Sequence, residues 1–119
     1  MCYNYAGFLA LLERRVTVVF TASLCNEQTD RLVQAFLAMR TEEEVYRFLE
    51  DILTIQEMKS ITQRFEVARM LKNKDTYQDI VRQTGASTTT IGRVNRSLQY
   101  GADGYTLALE RISEKVQPK

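Results

Sequence analysis

The apolar residues that follow residue 25 recur at spacings of three and four, in short runs punctuated by helix-capping residues. Such a period puts them on one face of a helix, and nothing beyond residue 25 alternates as a half-buried strand does. Asn26 can cap a first helix with Leu32, Val33, Phe36 and Leu37 on one face. Thr41-Glu42-Glu43-Glu44 reads as a capping box: the threonine hydroxyl takes an orphan N–H and the glutamate three residues on reaches back to the cap. It opens a helix with Val45, Phe48, Leu49 and Ile52 inward, and three acids in its first turn suit the helix dipole. Thr54-Ile55-Gln56-Glu57 is a second box. It opens a long helix with Met58, Ile61, Phe65, Ala68 and Leu71 inward, ending at Asn73-Lys74-Asp75. Thr76 and Asp79 start a short helix over 77–83, which Gly85 stops from the position that needs a positive φ. Ser87 or Thr88 caps the next, with Ile91, Val94 and Leu98 inward, and a last helix spans 103–116. The expected fold is all-α, six helices joined by short turns.

Residues 76–100 carry the most informative pattern. Helix, glycine turn and helix is the arrangement of a helix-turn-helix. Ile80 stands four residues into the first helix, and Ile91 and Val94 follow Gly85 by six and nine, so they can meet between two crossed helices. Val81 takes a place where most such motifs have alanine, and a mild change of crossing is expected to absorb it. The outer face of the second helix holds Ser87, Thr88, Thr89, Thr90, Gly92, Arg93 and Arg96. It is small and polar at its N-terminal end and basic beyond, a shape that can enter a major groove end-on. The hydroxyls can meet phosphates or base edges, the helix N-terminus favours phosphate, and the arginines can reach guanine or backbone. The competing reading is a helical hairpin in a structural bundle, with serine and threonine acting only as caps. A row of β-branched and small polar residues makes a poor helix on propensity alone, which a purely structural role does not favour.

Charge is divided along the chain. Residues 26–58 hold eight acids and three bases, and residues 59–99 hold eight bases and three acids. A polyanion would bind the second stretch, unless both are ordinary solvated faces. There is no histidine, so no Ser-His, Cys-His or histidine–metal site can form within the chain. Two cysteines, Cys2 and Cys25, are too few for a disulfide framework or a zinc site and point to a reducing compartment. Glu42, Glu43, Glu44, Glu50 and Asp51 could gather round a divalent cation, but only residues three or four apart share a helix face. A solvated, dipole-favourable first turn is the simpler account. No catalytic residue, metal ligand or cofactor is assigned, and an enzyme is not expected.

Residues 1–25 stand apart, with aromatic and β-branched runs split by Glu13-Arg14-Arg15. No uncharged run there reaches the roughly 18 residues of a membrane span, and the positive charge follows the apolar run, unlike a secretory signal. The segment reads as a strand, a helix docked on a partner, or a misassigned start. Glu-Arg-Arg can be spelled GAA-AGG-AGG, which contains a bacterial ribosome-binding sequence, and Val18 just beyond can be a GTG start codon. Residues 26–119 form the expected domain.

The two blocks Gln63-Arg64-Phe65-Glu66-Val67-Ala68-Arg69-Met70-Leu71 and Thr84-Gly85-Ala86-Ser87-Thr88-Thr89-Thr90-Ile91-Gly92-Arg93-Val94 closely resemble the Trp repressor superfamily, in its YerC/YecD-like branch. The resemblance covers nearly all of the chain beyond residue 25. It implies an intertwined homodimer in which residues 26–75 dimerise, 76–100 form one helix-turn-helix per protomer and 103–116 form the C-terminal helix. It also implies an effector pocket. In the tryptophan-sensing members an indole lies between two guanidinium planes, and the matching positions here are Arg64 and Arg93, with Thr54, Thr90 and Ser97 lining the pocket. Facing guanidinium planes are a sound slot for an aromatic ring. The sensors have glycine directly after the second arginine, where this chain has Val94. A small-molecule corepressor is therefore left open, and tryptophan itself is not expected to bind. A salt bridge for Arg64 and a phosphate contact for Arg93 compete with the effector role.

The function expected is a sequence-specific regulator of transcription, a dimeric repressor reading a palindromic operator on double-stranded DNA. It would work in the cytoplasm on the bacterial nucleoid, without a membrane. The alternative is a protein-interaction module that uses its acidic helices and shows no salt-dependent affinity for DNA.

Overall fold

The computed structural model of the chain describes residues 22–116, in which six α-helices and no strand occur. They are α1 (Glu27–Ala38), α2 (Glu42–Ile52), α3 (Ile55–Lys72), α4 (Tyr77–Thr84), α5 (Thr88–Tyr100) and α6 (Gly104–Val116). The described residues fall into two compact units that divide between Ile52 and Leu53. The proposed start at Val18 lies outside the described residues, as does nearly all of the 1–25 stretch. Cys25 lies half-buried ahead of α1, and Cys2 lies outside the described residues.

The first unit holds α1 and α2. Asn26 caps α1 as expected, its Oδ1 accepting from the Thr29 N–H at 2.8 Å. At α2 the Thr41 hydroxyl accepts from the Glu44 N–H at 3.1 Å. The reciprocal half differs from a capping box, because the Glu44 carboxylate accepts from the N–H of Arg40, one residue earlier, at 2.9 Å. The rings of Phe36 and Phe48 meet edge to face with centroids 5.0 Å apart. Beyond that contact neither helix buries a residue. Leu32, Val33, Phe36, Leu37, Tyr46 and Ile52 stay exposed, an unusual amount of open apolar surface for two short helices.

The second unit holds α3 to α6 and, among the described residues, all of the buried core. Val67, Ala68 and Met70 of α3 pack with Ile80 of α4, Ala86 of the turn, and Ile91 and Val94 of α5. Leu71, Leu98, Tyr105 and Leu109 close over this cluster from its edges. The inward face of α3 is therefore rotated from the one expected. Ala68 is buried, but Met58, Phe65 and Leu71 are only partly covered and Ile61 is exposed. The reason is local: the buried contacts with α4 and α5 fall on the C-terminal half of α3, and no residue of its first two turns is buried. The Thr54–Glu57 capping box is complete, with the Thr54 hydroxyl accepting from the Glu57 N–H at 3.1 Å and the carboxylate from the Thr54 N–H at 2.9 Å.

Candidate nucleic-acid interface

The turn between α4 and α5 is set by three consecutive devices. Gly85 takes φ +71°, a left-handed conformation that glycine adopts without a Cβ penalty. The Thr84 hydroxyl donates to the Ile80 carbonyl at 2.6 Å and accepts from the Ala86 N–H at 3.1 Å. Ser87, rather than Thr88, then caps α5, its oxygen accepting from the Thr90 N–H at 3.1 Å. Gln63 of α3 fixes this corner from behind, donating its side-chain amide to the Thr84 carbonyl at 3.1 Å. Val81 is 37% exposed, while Ile80 beside it is fully buried in the core.

With Ile91, Val94 and Leu98 inward, the opposite face of α5 presents Thr88, Thr89, Gly92, Arg93 and Arg96, all exposed. Ser87 and Thr90 differ from their neighbours. The Ser87 hydroxyl donates to the Thr90 hydroxyl at 3.1 Å, so the two occupy each other. The hydroxyls of Thr88 and Thr89 have no protein partner among the described residues and are free to meet something else. Gly92 lies in mid-helix with nothing within 4 Å of the place a Cβ would fill. Packing does not require it, although glycine in a helix interior costs roughly 0.5–1 kcal/mol relative to alanine.

Electrostatics favour an anion here. Acids stand in the first turns of α1, α2, α3 and α4, whereas the first turns of α5 and α6 have none. Two acids of the basic stretch are taken by arginines of their own helices, Glu66 by Arg69 and Asp79 by Arg82. The Arg69 hydrogen bond holds the Glu66 carboxyl below its ordinary range. Among the described residues Arg64, Arg93 and Arg96 enter no ion pair, the salt bridge considered for Arg64 included.

The side of α5 that carries Thr90, Arg93 and Ser97 turns toward α3, and these residues line a cleft of about 260 Å³ with Ser60, Gln63 and Arg64 of α3, Val94, and Tyr105 of α6. Four of the five residues expected to form an effector pocket are thus brought together. Thr54 is not among the lining residues; its hydroxyl caps α3 instead. Ser60, Gln63 and Tyr105 were missed. Ser60 stands one helical turn before Arg64 and was legible from spacing, whereas nothing local in the sequence brings Tyr105 to this place. Val94 is 2% exposed and belongs to the core, yet it also forms part of the cleft wall. Among the described residues no group of acids or cysteines could hold a metal ion, and no helix is long and apolar enough to cross a membrane. The acids at the start of α2 are dispersed, Glu43 onto Arg47 and Glu44 onto the Arg40 amide.

The model of the Trp repressor protein family matches residues 27–113. The chain belongs to the Trp repressor family. It is 48% identical over 91 residues to YerC, an uncharacterized protein of Bacillus subtilis, a match covering 76% of this chain and 88% of YerC. The crystal structure of a TrpR-like protein from Eubacterium eligens superposes with a TM-score of 0.73 at 49% identity, over 81% of this chain and 97% of that one. That of a candidate Trp repressor from Staphylococcus aureus gives 0.72 at 42% identity, over 81% and 94%. The architecture is thus the all-α Trp repressor-like fold of the YerC-like branch, the one to which the 63–71 and 84–94 blocks point.

Proposed function

We propose that this Trp repressor family member is a sequence-specific DNA-binding regulator that acts as a dimeric repressor on a palindromic operator and catalyses no reaction. The observation that carries the reading is the outer face of α5. Thr88 and Thr89 hold unpartnered hydroxyls at a helix tip without acids, Gly92 leaves room for close approach, and Arg93 and Arg96 are free of ion pairs among the described residues. Each group is what a groove-entering helix needs, and none is needed by the core. In this reading 76–100 is the reading head, 103–116 its backing helix, and 26–75 the dimerisation segment. The open apolar faces of α1 and α2 support the last assignment, since a second copy is the simplest cover for them. Two helix-turn-helices related by a two-fold axis would meet half-sites about one helical turn apart, roughly 34 Å. The protein works in the cytoplasm, on the nucleoid.

The cleft of Arg64, Thr90, Arg93 and Ser97 has room for a small-molecule corepressor. Tryptophan is not its ligand in this reading, because the Val94 side chain is fixed in the core beside the slot.

Selection of duplexes from a random pool tests the whole reading, followed by affinity measured against salt. A symmetric motif and a slope of close to one unit of log K per phosphate neutralised are expected. A flat salt response, or a monomer at micromolar concentration by sedimentation, would leave the protein-interaction reading in its place.

A further inference from the structure

The first residue of α4 is tied to α5 across the motif. The side-chain amide of Asn95 donates to the phenol oxygen of Tyr77 at 3.4 Å, the one hydrogen bond among the described residues between side chains of these two helices. Asn95 lies three residues beyond Gly92 and seven beyond Thr88, on the stripe of α5 that carries both. The Tyr77 phenol is therefore held at the edge of the face proposed to meet DNA. Tyr77 is 41% exposed, and its own O–H has no acceptor among the described residues. The backbone amides of Tyr77 and Gln78, in the first turn of α4, are likewise unpartnered there, since the Thr76 hydroxyl takes only the amide of Asp79. Both acids at this end have partners: the Asp79 carboxylate accepts from the Thr76 hydroxyl at 3.0 Å and pairs with Arg82, and the Asp75 carboxylate, just before the cap, accepts from the Asn73 side-chain amide at 3.2 Å.

Building on the DNA-binding reading, we propose that Tyr77 is a further contact to the DNA backbone, its O–H donating to a phosphate while Asn95 holds its oxygen from the other side. The pair then acts as a strut. A phosphate engaged at the start of α4 is linked through Asn95 to the stripe of Thr88 and Gly92, which fixes how far α5 is advanced along the groove. A serine or leucine at 77 could not serve, because only a long rigid side chain with a hydroxyl at its end spans from α4 to Asn95 while keeping a donor for the phosphate.

The test uses the full chain, a duplex selected from a random pool by the wild-type protein, and a scrambled duplex of equal length. Affinities are measured by fluorescence anisotropy at several salt concentrations, with a thermal melt of every variant. Tyr77→Phe keeps the ring and removes one hydroxyl, so the melting temperature should hold. Affinity should fall by about tenfold on both duplexes alike, the loss of one hydrogen bond to a charged acceptor. The salt slope should not change, because an uncharged hydroxyl releases no counterion. Asn95→Ala should cost less, and the double variant should be no weaker than Tyr77→Phe alone. Wild-type affinity for Tyr77→Phe, a loss confined to the selected duplex, or additive losses in the double variant would each overturn the proposal. If the wild-type protein selects no duplex at all, the DNA-binding reading fails first and takes this one with it.

Discussion

Replacing Gly92 by alanine separates the demands of the fold from those of the proposed interface, because the two predict opposite signs. An added Cβ meets nothing within 4 Å in the free protein. The helix should therefore gain the ordinary glycine-to-alanine increment of about 0.8–1 kcal/mol. For a folded unit of this size that raises the melting temperature by about 4–8 °C. If a groove wall presses on the same spot, the methyl has no place in the complex. Overpacking of a close contact costs about 1–3 kcal/mol, or roughly 5- to 150-fold in affinity. Calorimetric melts at one protein concentration, and anisotropy titrations with selected duplexes, read the two effects separately. A variant that melts higher and binds DNA as well as the wild type would show that this face of α5 does not enter the groove. A variant that melts lower would show that Gly92 packs against something in the folded protein.

Four further outcomes follow from named groups. Arg96→Ala should weaken all duplexes alike and lower the salt slope, whereas changes at Thr88 or Thr89 should alter which bases are preferred, by about 1–3 kcal/mol per contacted pair; an unchanged selected motif would place the recognition helix wrongly. Isothermal titration with free tryptophan should give no saturable binding below about 100 micromolar, since a strained site of this kind loses a tenfold for every 1.4 kcal/mol. Val94→Ala is the control to compare, because Val94→Gly would both hollow the core and loosen α5. The Glu57 carboxyl is held below its ordinary value of 4.5, chiefly by the hydrogen bond from the Thr54 backbone. A depressed folded value means that its contribution is present above about pH 4.5 and is lost as the pH falls below, so Glu57→Gln should flatten that part of a stability-against-pH curve.

The sequence was most legible where one residue decides one local event. Asn26, Thr54 and Thr76 cap the helices they were expected to cap, and Gly85 takes the positive φ its place demands. Caps and turns are short-range chemistry, complete within four residues. The buried face of α3 was harder, because its sequence is apolar on more than one side and only the packing of α4 and α5 on its C-terminal half decides which side is covered. The candidate site divides the same way. Arg93, Thr90 and Ser97 share a helix side, and the family resemblance added Arg64. Tyr105 comes from α6, 41 residues beyond Arg64, and no local spacing pointed to it. The use of the Ser87 and Thr90 hydroxyls on each other was equally hidden, since a cap and a groove contact ask for the same residue types.

The uneven location of the core has a consequence for dynamics. Among the described residues all seven buried apolar ones lie from Val67 onward, and α1 and α2 contribute none. Amide protons on α3, α4 and α5 are thus guarded by a core that each chain carries with it, and their exchange with solvent deuterium should be slow at any dilution. Amides of α1 and α2 have no such guard of their own. Their protection rests on whatever covers their apolar faces, so it should rise with protein concentration by mass action. If α1 and α2 join two copies as proposed, the helix-turn-helix would persist as folded structure in a dilute cell while the joining segment still exchanged freely, and copy number would itself control how many two-headed molecules could reach DNA.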